Sequence, residues 1–231
     1  MKKAIVLGAS GRLGSEITRK LISIGYEVIG TYRDKNHLPK DLVENKKVVF
    51  YPIDFKQKSS IEHFLKSIKE EKIDFITNTI SNKIFIEKVE KISTEIIEED
   101  FRVNVTNYLY FLQKVIPNLS KNSQIVFILS EMVLGIPKNY LSSYIITKYA
   151  LLGLMKCMSE ELKLKGIRVN AVSPGMMDTN FTWNVKFNGK EIVLPKDKRV
   201  FVNPSEVAEK ILEIISNESI NGKNIPILSE K

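Results

Sequence analysis

Three glycines near the start of the chain, Gly8, Gly11 and Gly14, separate an apolar run from an amphipathic stretch in KKAIVLGASGRLGSEITRKLISIGYEVIGTYR. Ala4 to Leu7 is a short continuous apolar run, the pattern of a strand buried on both faces. Leu13, Ile17 and Leu21 then recur at i, i+4 and i+8, which gives a helix one apolar stripe, and Gly25 ends it before a second strand from Val28 to Tyr32. Between strand and helix each glycine has a separate task. Gly8 permits a tight turn, Gly11 lets the backbone approach a pyrophosphate, and Gly14 allows the helix to pack close to the strand. Ser10, Arg12 and Leu13 share this loop. The helix start offers unpaired N–H groups and the positive end of its dipole to phosphates.

The rest of the chain continues the strand–helix alternation, with strands expected near 3–8, 27–32, 47–52, 74–78, 124–130, 168–173 and 223–227. A helix near 59–71 carries Ser59 and Glu62 at capping-box spacing and Ile61, Phe64, Leu65 and Ile68 on one face. A longer helix from about 95 to 116 places Asn104 in its middle and is closed by Pro117 and the polar segment NLSKNS. A third, from about 142 to 165, is apolar on several sides and needs more than one packing partner. This order predicts an α/β fold, a Rossmann-like doubly wound parallel sheet flanked by helices, formed by residues 1–231 as one domain.

Tyr144 and Lys148 stand four residues apart on that third helix, so one turn brings a phenol and an ammonium onto the same face. A phenol titrates near pH 10 and exchanges protons at neutral pH only with help, which a neighbouring cation can give. Together with the glycine loop, this pair resembles the short-chain dehydrogenase/reductase family in its one-domain form, which includes 3-oxoacyl-carrier-protein reductases. GIRVNAVSPGMMDT, with Pro174, Gly175 and Thr179, is similar to the family's segment beyond the catalytic helix. The resemblance implies a catalytic tetrad of Asn104, Ser130, Tyr144 and Lys148. In it Tyr144 is the acid, Ser130 bonds the reacting oxygen, Lys148 lowers the phenol pKa and bonds the nicotinamide ribose, and Asn104 holds a water.

The chain departs from the family pattern in three places. Asn78, Thr79, Ile80 and Ser81 stand where the family has Asn-Asn-Ala-Gly, so a permissive backbone position carries a side chain. Arg12 takes the place of the middle glycine, a spacing that resembles the sugar-nucleotide-modifying branch. Ser130 lies fourteen residues before Tyr144, one more than the resemblance implies, with Glu131 in the nominal slot. A one-residue difference in the loop accounts for it.

Cofactor choice is set at the end of the second strand, where a carboxylate suits the ribose of NAD(H) and a basic residue the 2′-phosphate of NADP(H). Tyr32 occupies the usual acid position and Arg33 follows it, with Arg12 able to add a second guanidinium; NADP(H) is favoured over NAD(H). Asp34 argues the other way. Asp54, followed by Phe55, resembles the family's adenine-contacting aspartate, and Asn78 completes the expected nucleotide contacts. The segment 179–203 is expected to cover the substrate, with a hairpin turning at Asn188-Gly189. Trp183 serves it either as an apolar wall or as simple packing.

A formal charge of +8 suggests nucleic acid, but the lysines are spread along the chain and alternate with acids, as on a solvated surface. No nucleic-acid or membrane partner is expected, and no apolar stretch is long enough to span a bilayer. Cys157 is the single cysteine, which excludes an intramolecular disulfide and suits a reducing cytoplasm. His37 and His63 lie in polar segments, so neither a metal site nor Ser-His-Asp chemistry is expected. The expected substrate is a small carbonyl compound or alcohol, a carrier-bound 3-oxoacyl thioester among the candidates. Packing of the catalytic helix in the family implies a homodimer or homotetramer. A non-catalytic NADP-binding sensor or scaffold is the alternative function.

Overall fold

The computed structural model describes residues 1–187, 190–194 and 200–229. The chain runs β1 (Lys3–Leu7), α1 (Arg12–Ser23), β2 (Glu27–Tyr32), α2 (Lys40–Val43), β3 (Val48–Pro52), α3 (Lys58–Ser67), β4 (Ile73–Asn78) and β5 (Phe85–Ile86). It continues through α4 (Thr94–Phe101), a π-helical turn Arg102–Thr106, α5 (Asn107–Val115), β6 (Leu119–Ile128) and α6 (Ser142–Glu161). β7 (Arg168–Pro174), α7 (Asn180–Trp183), β8 (Asn184–Phe187), β9 (Lys190–Val193), α8 (Pro204–Ser216) and β10 (Asn224–Ile227) complete it.

Seven strands form one parallel sheet in the order β10-β7-β6-β4-β1-β2-β3. Alternation along each strand sends side chains to opposite faces. Ile5 and Leu7 of β1 and Ile125, Phe127 and Leu129 on or just beyond β6 join the apolar layer under α3, α5 and α6. Ala4, Val6, Val126 and Ile128 join the other layer, under α1 and α8. The sheet is therefore buried on both sides, as its continuous apolar runs require. The chain builds outward from β1 to β3, then returns to place β4 on the other side of β1. Such a reversal opens a crevice at the carboxyl ends of the strands.

Several boundaries differ from expectation. α3 begins at Lys58, so Ser59 falls inside the helix and caps nothing; Ser60 Oγ instead accepts the Asp54 N–H at 2.9 Å. β6 begins at Leu119, within the segment expected to be a loop, because Leu119 pairs with Ile73 before a register shift. The long helix is continuous from Thr94 to Val115, but widens to a π-turn around Asn104. The expected hairpin forms, with Phe187 opposite Lys190, although its Asn188-Gly189 turn lies outside the described residues. β8 also pairs in parallel with β5, making a small second sheet that the sequence did not announce. Among the described residues, no helix is long and apolar enough to cross a membrane.

Candidate active site

The crevice at the β1/β4 reversal is a cleft of about 710 Å³. Its floor is the glycine loop. Gly8 has φ +81° and donates its N–H to Thr31 Oγ1 at 2.9 Å, while the Gly11 N–H closes the turn onto the Gly8 carbonyl at 2.9 Å. A Cβ on Gly14 would lie 2.2 Å from that same carbonyl oxygen, so α1 starts as near to the loop as backbone allows. Gly11 caps α1 without a side chain, leaving first-turn N–H groups directed at the cleft. Ser10, Arg12 and Leu13 line the cleft with the three glycines. Arg12 reaches across it: Nη1 donates to the Asp178 carbonyl at 2.6 Å and lies 3.9 Å from its carboxylate.

The replaced segment after β4 is secured by its own side chains. Thr79 Oγ1 bonds the carbonyl oxygens of Leu7 and Gly8 at 3.0 and 3.1 Å, and Asn78 Oδ1 accepts the Ile80 N–H at 2.8 Å. Ser81 does not have positive φ, so this path does not need the family's glycine. Asn82, which sequence reasoning missed, anchors the next step. Its N–H reaches Asn104 Oδ1 at 3.3 Å and its Nδ2 donates to buried Asp100 at 2.8 Å. Burial pushes the Asp100 carboxyl upward, opposed by hydrogen bonds from Ser143 and Asn82. Asn104 Nδ2 donates to the Asp100 carbonyl at 2.9 Å, so both ends of its side-chain amide are held within this network.

Tyr144 and Lys148 face the cleft from α6, one turn apart. Lys148 is 7 % exposed, and its Nζ donates to the Ile128 carbonyl at 2.9 Å and sits 5.5 Å from the centre of the Tyr144 ring. Burial pushes its ammonium down to about 8. The Tyr144 phenol is pushed above its ordinary value, first by burial and further by the Glu131 carboxylate, against a hydrogen bond with Ser130. The net direction is therefore opposite to the lowering expected from Lys148. Ser130, with Glu131 in the following turn, is the serine that reaches the phenol. The Phe181 ring packs 6.0 Å from that of Tyr144.

At the far end, Tyr32, Arg33, Asp34 and His37 form the wall beside β2. Asp34 Oδ1 caps the short turn after it by accepting the Asn36 N–H at 3.0 Å; exposed Arg33 makes no ion pair among the described residues. Asp54 and Phe55 line the cleft after β3, where Asp54 Oδ1 accepts the Lys56 N–H at 2.9 Å and the Phe55 carbonyl accepts from Asn107 at 2.6 Å. Thr179 and Trp183 line it from the opposite wall, and Trp183 is both buried and bonded through Nε1 to Asp178 Oδ1 at 2.6 Å. Asn104, Ser130, Pro174 and Gly175 are not among the lining residues; Pro174 pairs with Ile227 of β10, and the Gly175 N–H donates to the Ile227 carbonyl at 2.8 Å. The described hairpin strands β8 and β9 lie outside the lining; α7 supplies the cleft-facing part of the covering segment.

The family model described as short chain dehydrogenase matches residues 2–188. A 3-oxoacyl-[acyl-carrier-protein] reductase of Buchnera aphidicola subsp. Schizaphis graminum is 29 % identical over 236 aligned positions, covering 98 % of this chain and 95 % of the relative. Among solved structures, a 3-ketoacyl-(acyl-carrier-protein) reductase from Brucella melitensis complexed with NADH superposes with TM-score 0.84 at 20 % identity, covering 98 % of this chain and 96 % of the other. A short chain dehydrogenase from Burkholderia cenocepacia in complex with NADP gives 0.81 at 21 % identity, with the same coverage of both chains.

Proposed function

Because the chain belongs to the short-chain dehydrogenase/reductase family of oxidoreductases, we propose that it is an NADPH-dependent carbonyl reductase, acting on a ketone or, in reverse, on a secondary alcohol. The observation that carries the reading is the convergence of Tyr144, hydrogen-bonded to Ser130, and buried Lys148 on the cleft whose floor is the glycine loop. A dinucleotide fits that floor, since Gly14 brings the α1 N-terminus to where any Cβ would collide with the loop backbone. Gly8, Gly11 and the first N–H groups of α1 would hold the pyrophosphate, Asp54 the adenine, Asn78 and Lys148 the nicotinamide ribose, and Arg33 the 2′-phosphate. Once bound, the nucleotide supplies or accepts the hydride.

The chain's own residues manage the proton. Tyr144 keeps its proton at neutral pH, because burial and Glu131 hold the phenol above its ordinary value. It is then an acid that gives up its proton only to an oxygen on which negative charge develops, where Ser130 adds a second hydrogen bond. Lys148 places its amine next to the phenol and is close to half-protonated at mildly alkaline pH, so it can return a proton to Tyr144. NADPH is preferred in this reading because one Asp34 oxygen is bound into the turn while Arg33 makes no ion pair among the described residues. The 29 % identical carrier-protein reductase makes 3-oxoacyl thioesters the first substrates to try. Exposed Ile146 and Tyr149 on α6 support a homodimer or homotetramer, which light scattering tests.

The test is a panel of ketones and 3-oxoacyl thioesters with NADPH, run beside Tyr144→Phe. Turnover should fall by about 10²–10⁴ in the variant, with NADPH affinity retained. A protein that binds NADPH and reduces nothing in a broad panel would instead be a sensor or scaffold, and full turnover by the variant would remove Tyr144 from the acid role.

A further inference from the structure

His37, one of the two histidines set aside by the sequence, lies in the wall of the nucleotide cleft beside Arg33 and Asp34. The turn Lys35–His37 follows β2 and folds its imidazole back, so that Nδ1 stands 3.5 Å from Asp34 Oδ2. The other carboxylate oxygen is held by the Asn36 N–H at 3.0 Å. One short turn thus presents a guanidinium, a fixed carboxylate and an imidazole at the end of β2. At that position in such a sheet the ribose of the adenosine half is read, a carboxylate favouring its hydroxyls and a cation its 2′-phosphate. Asp34 and His37 therefore pull the cofactor choice in opposite directions.

Resting on the cofactor reading above, we propose that the Asp34–His37 pair makes the preference for NADPH over NADH depend on pH, the charged imidazole covering Asp34 and pairing with the 2′-phosphate. Imidazole is the side chain that ordinarily changes charge between pH 5 and 8. In its neutral form Asp34 meets the phosphate uncompensated, and Arg33 alone answers it. In its charged form the same turn carries one more positive charge. A dianionic phosphate favours the charged imidazole, so NADPH binding takes up a proton. The resulting gain is present at low pH, where an imidazole is charged, and is lost at high pH, where it is neutral. NADH, with a hydroxyl in place of the phosphate, has no such gain.

The other charged groups of the cleft wall are Arg12 at the start of α1, Arg33 on the same turn, Asp54 and Lys56 after β3, Lys148 on α6 and Asp178 opposite. Arg12 faces Asp178, and Lys56 pairs with Glu99 at 2.5 Å. Lys148, pushed down to about 8, bonds the carbonyl of Ile128 on β6, away from β2 on the other side of β1 and β4. The two nucleotides are chemically identical at that end, so its titration cancels from their ratio.

Dissociation constants of NADPH and NADH are measured by fluorescence titration at pH 6.0 and 8.5, for the unmodified protein and for His37→Asn. The free 2′-phosphate takes up a proton of its own near pH 6, which weakens NADPH at low pH in both proteins, so the comparison between them isolates the imidazole. At pH 6.0 the ratio Kd(NADH)/Kd(NADPH) should be about threefold larger in the unmodified protein, the scale of one exposed charge pair. At pH 8.5 the two proteins should agree. A clear NADPH preference whose Kd ratio is the same in both proteins at pH 6.0 as well as at pH 8.5 overturns the inference alone. NADH bound at least as tightly as NADPH by the unmodified protein at both pH values overturns the cofactor reading, and the inference with it.

Discussion

Replacing Gly14 with Ala places a methyl group 2.2 Å from the Gly8 carbonyl oxygen, 2.8 Å from its carbon and 2.9 Å from the Ala9 Cα. All three neighbours are backbone, so no side chain can rotate away. Bringing the shortest contact out to 3.0 Å, below which real Cβ atoms essentially never approach, requires the helix start and the loop to separate by about 0.8 Å. Overpacking against atoms that cannot yield costs about 3 kcal/mol, and for a chain of this length that lowers Tm by roughly 6–12 °C. The same displacement opens the floor of the cleft, so NADPH affinity should fall as well. Gly153, exposed within α6 with nothing within 4 Å of its Cβ position, is the internal control. Gly153→Ala should raise Tm by roughly 2–4 °C through helix propensity alone. Thermal melts without nucleotide give the stability term free of binding, and NADPH titration gives the other. A Gly14→Ala protein melting within about 2 °C of the unmodified one, with unchanged NADPH affinity, would refute the close-approach argument.

Further outcomes follow from the buried amine and from the β2 turn. Lys148 titrates at about 8 in the folded protein against 10.5 unfolded, so the unfolded chain holds the extra proton between those values and stability rises with pH across that window. Lys148→Met removes a penalty of about 3 kcal/mol at neutral pH and loses the bond to Ile128 O, worth about 1–3 kcal/mol. The variant should therefore melt no lower than the unmodified protein at pH 7, and should lack the rise between pH 8 and 10.5 in a series of thermal melts; a lower Tm with the rise intact would contradict this. Arg33→Asp should weaken or reverse the ratio of NADH to NADPH dissociation constants, and equal ratios in both proteins would remove Arg33 from phosphate recognition.

How much could be read in advance depended on how local each signal was. The glycine loop, the stripe of Leu13, Ile17 and Leu21, and the apolar runs of the main sheet are set by neighbours in sequence, and the structure places them as expected. Tyr144 and Lys148 were legible for the same reason, since one helical turn relates them. β5 was not, because two residues carry no periodicity and Phe85–Ile86 becomes a strand only when β8 pairs with it. The start of β6 was hidden by its polar composition, and Leu119 extends only because Ile73 is there to pair with. Ser59 has the spacing of a cap, yet the helix begins one residue before it. The Asn82–Asp100–Asn104 network joins a loop to a helix across a tertiary contact, and nothing in either segment alone marks it. His37 sits in a polar stretch, where a histidine has no pattern to mark it; its place in the cleft comes from the turn after β2.

Hydride transfer to a carbonyl carbon from a nucleotide held in this cleft can be followed with an isotope. NADPH deuterated at C4 of the nicotinamide, on each face in turn, is incubated with the protein and a ketone or 3-oxoacyl thioester, and the alcohol is analysed by mass spectrometry. One deuterium should appear in the alcohol with one of the two labelled faces, and the signal should be lost with Tyr144→Phe while that variant still binds NADPH. NADPH bound to the unmodified protein with no deuterium delivered to any carbonyl compound would exclude carbonyl reduction in this cleft, and label delivered equally well by Tyr144→Phe would exclude Tyr144 as its acid.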